Sequence, residues 1–264
     1  MSDVPPPPGA TPPPTPPPPP PGNLAPPAGY VAFDAPPTQA GIKRIGGLAK
    51  AIVILTAILA VSTVITALLS AGVTQDAKDF LDGSISEDDF TTAIAPLNAV
   101  QLVTSLATLA TGVLTIMWAY RIATNVRAFG RATTWSPLFA IFGWFLPPMV
   151  LYVIPFLVLR ELWKASDSTS VDGTDRWKQE PDNRVLWLWL AVFGIIPTVL
   201  LAVQIGNFAS AGIPSGNMES VAESLEDFAA IGYITAVVNV VAAATWIVFV
   251  RQLTERHVRL SGES

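Results

Sequence analysis

The stretch "FGWFLPPMVLYVIP", Phe142 to Pro155, is apolar enough to enter a membrane, yet it is broken by three prolines and carries a tryptophan near its start. It lies in a charge-free window, Ala132 to Leu159, that also contains Pro137. A spanning helix accommodates one proline, because each removes a backbone donor and clashes with the preceding turn, and four argue against an uninterrupted span. Whether this window crosses the bilayer or returns to the side it left sets the orientation of everything after it.

The surrounding chain leaves little doubt that a bilayer is the relevant solvent. Half of the 264 residues are hydrophobic, only 13% are charged, and the mean hydropathy is +0.48. That is too few charges to solvate a soluble globule of this size. Cysteine is absent, which excludes disulfides, thiolate catalysis and iron–sulfur ligation. With His257 the single histidine, a His-based metal or haem site has almost no ligands to draw on. The net charge of -5 gives no footprint for nucleic acid. No metal, no cofactor and no catalytic residue is expected.

Residues 1–40 hold seventeen of the twenty-five prolines and only two charges, Asp3 and Asp34. Such a segment cannot pack a core and favours an extended polyproline II chain. Residues 1–44 are therefore read as a disordered, proline-rich cytoplasmic tail, and 45–264 as the membrane domain. No basic n-region followed by an apolar h-region marks a signal peptide in the first thirty residues. "YVAFDAPP", Tyr30 to Pro37, supplies the tail's hydrophobic anchors for docking to a protein partner.

A helix needs about 20 apolar residues to cross the hydrocarbon. Four windows meet this directly, at about 51–73, 97–120, 185–207 and 228–250, with the proline-broken one between the second and third. Lysine and arginine near helix ends are retained on the cytoplasmic side, so charge can decide the fifth. If residues 135–163 re-enter, fourteen basic residues lie inside and only Lys78 outside; if they cross, the split is six against nine. Re-entry is the expectation. It puts both termini in the cytoplasm and two acidic loops outside, one with Asp76 to Asp89 and one with Glu219 to Asp227. Tryptophan prefers the interface, and Trp118, Trp135, Trp163, Trp187, Trp189 and Trp246 would then fall at or near the inner one, with Trp177 in the internal loop and Trp144 deeper.

The halves resemble each other. "SAGVTQDAKDFLDGSISEDDF" (Ser70 to Phe90) parallels "SAGIPSGNMESVAESLEDF" (Ser210 to Phe228), which suits two in-out-in hairpins related by an axis along the membrane normal.

Within the spans, Thr104, Thr108, Thr111 and Thr115 recur at helical spacing, as do Thr56, Ala60, Thr63, Ala67 and Ser70. Such stripes serve close helix packing, or line a polar cavity with hydroxyls. No ionisable residue lies in any window, which argues against a proton-coupled pump but leaves a passive path open. The broken segment, with Trp135, Pro137, Gly143, Trp144, Pro147, Pro148, Pro155, Glu161 and Trp163, is the remaining candidate motif. Glu161 reads as an interfacial ion-pair partner of its neighbours Arg160 and Lys164, and His257, beside Arg256, as a solvated surface residue.

The order "WAYRIATN" (Trp118 to Asn125), "WSP" (Trp135 to Pro137), "GWFLP" (Gly143 to Pro147), Pro155 and "RELWKAS" (Arg160 to Ser166) resembles the actinobacterial multi-pass membrane proteins grouped as domain of unknown function 4328. That resemblance implies a bacterial plasma-membrane location and brings no activity with it. Where such proteins often place an asparagine between the last two prolines of the motif, Met149 to Ile154 offers only Tyr152 as a polar group.

The expected fold is thus an all-α bundle of four membrane helices plus a proline-rich re-entrant segment. Its expected role is non-enzymatic, an interaction or scaffold protein of the cell envelope, with a small passive channel or carrier as the second reading. Its expected partners are the lipid bilayer and a protein bound through the tail. Oligomeric state is not fixed by the sequence.

Overall fold

The computed structural model describes residues 41–146, 153–170, 174–202, 217–227 and 229–263. Residues 1–40, with most of the tail, and Pro147 and Pro148 of the candidate motif lie outside them, as does 203–207 of the third expected span.

All regular structure among the described residues is helical. In chain order it comprises α1 (Gly46–Leu81), α2 (Glu87–Ala128), the short α3 (Phe139–Phe142), α4 (Val153–Ala165), α5 (Arg184–Ala202), α6 (Met218–Asp227) and α7 (Ala229–Ser261). Four helices, α1, α2, α5 and α7, are long and apolar enough to cross a membrane, and each contains one expected span or its described part. Helix α1 has 36 residues, α2 42 and α7 33. At about 1.5 Å per residue they reach roughly 50–63 Å, well beyond the about 30 Å of hydrocarbon. Their ends therefore project past the lipid, and that is where most of the packing occurs.

At one end of the bundle, Gly83 with a φ of 73° turns the chain, and Ser86 and Asp89 close a capping box on α2. Glu87, Asp88 and Asp89 occupy the first turn, at the positive end of the helix dipole. Val73 and Ala77 of α1, Phe90 and Ile94 of α2 and Ala222 of α6 form a small separate core there, with Phe80 stacked on Phe90. The two acidic segments that resemble each other in sequence thus pack together.

The main core lies at the opposite end. Ile45 just before α1, Ile52 of α1, Trp118 and Ile122 of α2, Leu159 of α4, Leu186 of α5 and Phe249 and Leu253 of α7 are all buried in it. Several of the tryptophans expected near the interface pack on one another. Trp246 lies 6.2 Å edge-on from Trp118 and 5.1 Å from Trp189, which in turn meets Trp144 at 6.4 Å. Ring-to-ring contact holds them together, and Trp118 also donates to the Thr254 hydroxyl at 3.1 Å.

A polar layer seals this end. Asn125, at the end of α2, accepts from the Lys43 amide at 2.9 Å and donates to the Lys43 carbonyl at 2.8 Å. Lys43 and Arg44, the last residues of the expected tail, are therefore fixed to the bundle, and Arg121 also donates to the Arg44 carbonyl. Asn183 caps α5 by accepting from the amides of Val185 and Leu186, and donates across to Gln252 of α7. Helix α1 has no cap from its own flank; the Glu263 carboxylate accepts from the amides of Ile45 and Gly46 at 3.0–3.1 Å.

Replacing Asn125 with alanine removes the side-chain partner of both Lys43 backbone groups and strands the buried Nε2 of His257, and a stranded buried group costs about 1–3 kcal/mol. Asn125→Ala is expected to lower the thermal unfolding midpoint in detergent markedly, whereas Ser84→Ala in the exposed turn after α1 leaves it unchanged.

Candidate functional site

Two features of this architecture concentrate groups with chemical potential: the polar layer and a cavity in the middle of the bundle.

Within the layer, His257 is fully buried and does not face solvent as its basic neighbourhood suggests. Its ring meets Ser166 Oγ at Nδ1 and Asn125 Nδ2 at Nε2, both at 3.1 Å. The tautomer follows from Asn125. Because Lys43 fixes that amide at both ends, its nitrogen must donate to Nε2, so Nδ1 carries the proton and donates to Ser166. The trio resembles a serine hydrolase constellation in composition only. Ser166 and His257 are both 0% exposed, so no substrate reaches the hydroxyl, and the arrangement is a structural joint between α2, α4 and α7. Residues beyond the apolar part of α7 supply it, which is why the sequence of the helix gives no hint of burial.

Around this joint the charges are paired. Arg256 reaches Asp167 at 3.2 Å and Glu180 at 3.0 Å, and its guanidinium lies over the Trp163 ring. Burial would raise the Asp167 carboxyl, but hydrogen bonds from Thr169 and Ser170 and the charge of Arg256 outweigh it and hold the group below the usual carboxylate range. Asp182 is also lowered, by the hydrogen bond from Arg160 against burial and by Lys164. Arg160 and Lys164 therefore pair with Asp182 at 2.8 and 3.1 Å, not with Glu161.

Glu161 does something else: its two carboxylate oxygens accept from the amides of Thr134 and Trp135, at 2.6 and 3.0 Å. Nearby, Arg131 donates to the carbonyls of Ala165 and Ser170. The start and end of the proline-broken stretch are thus tied together. Farther along, Gly143 lies so close to Ile154 that an added Cβ would come within 2.9 Å of its Cγ2. Pro137 precedes α3, and Pro155 is buried in the first turn of α4, a position that tolerates proline. Of the candidate motif, Glu161 and Trp135 are joined, Gly143 meets the Ile154–Pro155 corner, Trp144 reaches the cavity, and Trp163 belongs to the polar layer.

The cavity holds about 550 Å³. Its walls are Thr56, Ala60 and Thr63 of α1, the Thr104, Thr108, Thr111 and Thr115 face of α2, Trp144 and Phe145 of the broken stretch, Trp189 and Phe193 of α5, and Asn239 and Trp246 of α7. The whole threonine face is brought together, yet it presents methyls more than donors. Thr104, Thr108 and Thr111 donate to the carbonyls of Val100, Thr104 and Ala107 on their own helix, and Thr63 to that of Leu59. Helix α5 widens to a π-helix over Leu190–Ile195, the turn that carries Phe193. π-turns of this kind recur at functional sites. Sequence periodicity singles out the threonines; it is blind to Asn239, Trp189 and the π-turn, whose convergence comes from distant helices.

Four apolar helices, packed at their projecting ends around an apolar chamber, define a multi-pass helical membrane protein. The chain belongs to the family described as Domain of unknown function (DUF4328), whose profile matches residues 82–255, from the turn before α2 to near the end of α7. Neither curated proteins nor solved structures gave a match to it.

The joint makes stability depend on pH. Burial pushes the His257 imidazole down to about 4, with Glu263 opposing and Arg131 assisting. An unfolded imidazole titrates near 6.5, so the unfolded chain binds the extra proton first as pH falls. The stabilisation is complete above about pH 6.5 and is lost towards pH 4, by about 3 kcal/mol. Thermal unfolding in detergent between pH 7.5 and 4 should show this decline, and His257→Leu should be less stable at pH 7.5 with a flatter profile.

Proposed function

We propose that the protein is a non-enzymatic interaction or scaffold protein of the bacterial plasma membrane, with the polar layer as its cytoplasmic platform and the proline-rich residues 1–44 as its contact for a protein partner. The observation that carries this reading is the layer itself. Lys43, Asn125, Arg131, Ser166, Asp182 and Arg256 tie the approach to α1, the ends of α2 and α7 and the segment after α4 into one hydrogen-bonded layer. Asn125, Arg131 and Ser166 are buried in it and brace its exposed groups, such as Lys43 and Lys178, so binding to those groups orders few side chains.

The orientation is supported by charge, fourteen basic residues on this side against Lys78 on the other. Re-entry of residues 135–163 is supported by the Glu161 clamp and the Gly143–Ile154 approach, which bring the stretch back to its starting point. Four spans and two cytoplasmic termini follow from it. A second reading, a small passive channel or carrier, is supported by the mid-bundle cavity and its threonine wall.

Deleting residues 1–40 is expected to leave the protein in the membrane and remove its copurifying partners; unchanged partners would turn the reading away from the tail. In intact cells, a membrane-impermeant maleimide is expected to label Ser84→Cys, while Ser168→Cys reacts only after the cells are opened. The reverse pattern would mean that the broken stretch crosses. Flux of ions or small solutes in reconstituted vesicles would move the carrier reading ahead of the scaffold.

A further inference from the structure

We propose that the mid-bundle cavity is a binding site for an uncharged single-chain amphiphile drawn from the bilayer, whose hydroxyl or carbonyl group pairs with Asn239. At about 550 Å³ the chamber falls within the about 300–1,000 Å³ of small-molecule sites. Three observations select its occupant.

The first is the mouth. Leu109, Val113, Phe145 and Phe193 line the half-open cavity and are 68%, 57%, 71% and 39% exposed. The chamber therefore opens onto the apolar surface that lipid covers, and its occupant arrives from lipid rather than from water.

The second is charge. No Asp, Glu, Lys, Arg or His is among the described lining residues. An ionised headgroup would enter unpaired, at a cost that such sites do not bear. An ionised phospholipid head or a free carboxylate does not fit; a neutral head does.

The third is a polar group without a partner. Asn239 lies at the centre of the charge-free 228–250 stretch, lines the cavity, is exposed and makes no side-chain hydrogen bond among the described residues, unlike the hydroxyls of Thr63, Thr104, Thr108 and Thr111. In hydrocarbon an unpaired amide is costly, and a ligand oxygen or hydroxyl at this depth relieves it. Rings of Trp144, Trp189 and Trp246 supply a wall on which a chain can lie. The site does not depend on the scaffold reading.

The test uses the full chain in bilayer nanodiscs and a long-chain alcohol carrying a diazirine, with labelled peptides mapped by mass spectrometry. Unlabelled alcohol, alkane and ionised carboxylate of equal chain length serve as competitors. Labelling is expected to concentrate on cavity residues of α2 and α7, with lipid-facing Leu68 of α1 as the background reference. The alcohol should compete about fivefold better than the alkane, the value of one hydrogen bond, and the carboxylate no better than the alkane. Asn239→Leu should erase the alcohol's advantage. Gly112 lines the cavity with nothing within 4 Å of an added Cβ, so Gly112→Leu should fill space without a clash and lower cavity labelling several-fold. Labelling no higher than at Leu68, carboxylate competing as well as alcohol, or undiminished labelling in folded Gly112→Leu would overturn the proposal. So would an Asn239→Leu variant that changes oligomeric state and keeps the alcohol's advantage, since Asn239 would then serve a helix contact between copies.

Discussion

The half of the bundle that holds the main core depends on the side-chain amide of Asn125. One group holds both backbone atoms of Lys43 and one nitrogen of His257, so the approach to α1, the end of α2 and the end of α7 are fixed by a single planar unit. Because the amide's two ends differ chemically, it also dictates which imidazole nitrogen carries the proton, and through it the contact with Ser166. Apolar packing brings the helices together here, but it has no preferred rotation about a helix axis. The amide supplies one.

A bilayer explains why the helices pack at their ends and part in the middle. Between helices in lipid there is no hydrophobic drive, since hydrocarbon solvates Leu109 or Val113 as well as a neighbouring helix would. Association must come from close fit and hydrogen bonding, and these are richest where the helices leave the lipid. The aromatic cluster around Trp246 marks the boundary between the main core and the chamber beyond it. Breaking the chain with prolines lets Trp144 and Phe145 stop at that depth and form part of the wall.

The four spans could be read directly, because about twenty apolar residues without charge have few other uses, and the helices contain every expected span or its described part. The threonine face could be read for the same reason of periodicity, and it does line the cavity. What local sequence misled on was the fate of polar residues near helix ends. His257 sits among arginines and looks solvated, yet its partners are 91 and 132 residues away in the chain. Glu161 stands between two basic residues and looks paired to them, yet helical geometry turns it towards Thr134 and Trp135 while Asp182 takes both cations. Neighbours in sequence compete poorly with partners delivered by the fold.

Glu263 carries a consequence for the order in which the molecule is completed. The two amides at the start of α1 wait for a carboxylate made 217 and 218 positions later. During synthesis α1 enters the membrane with its first turn uncapped, and every other helix is built before that turn is satisfied. Closure of this face therefore waits until residue 263 has been made, and a chain cut after residue 262 has α1 to α7 complete while the first turn of α1 is still open.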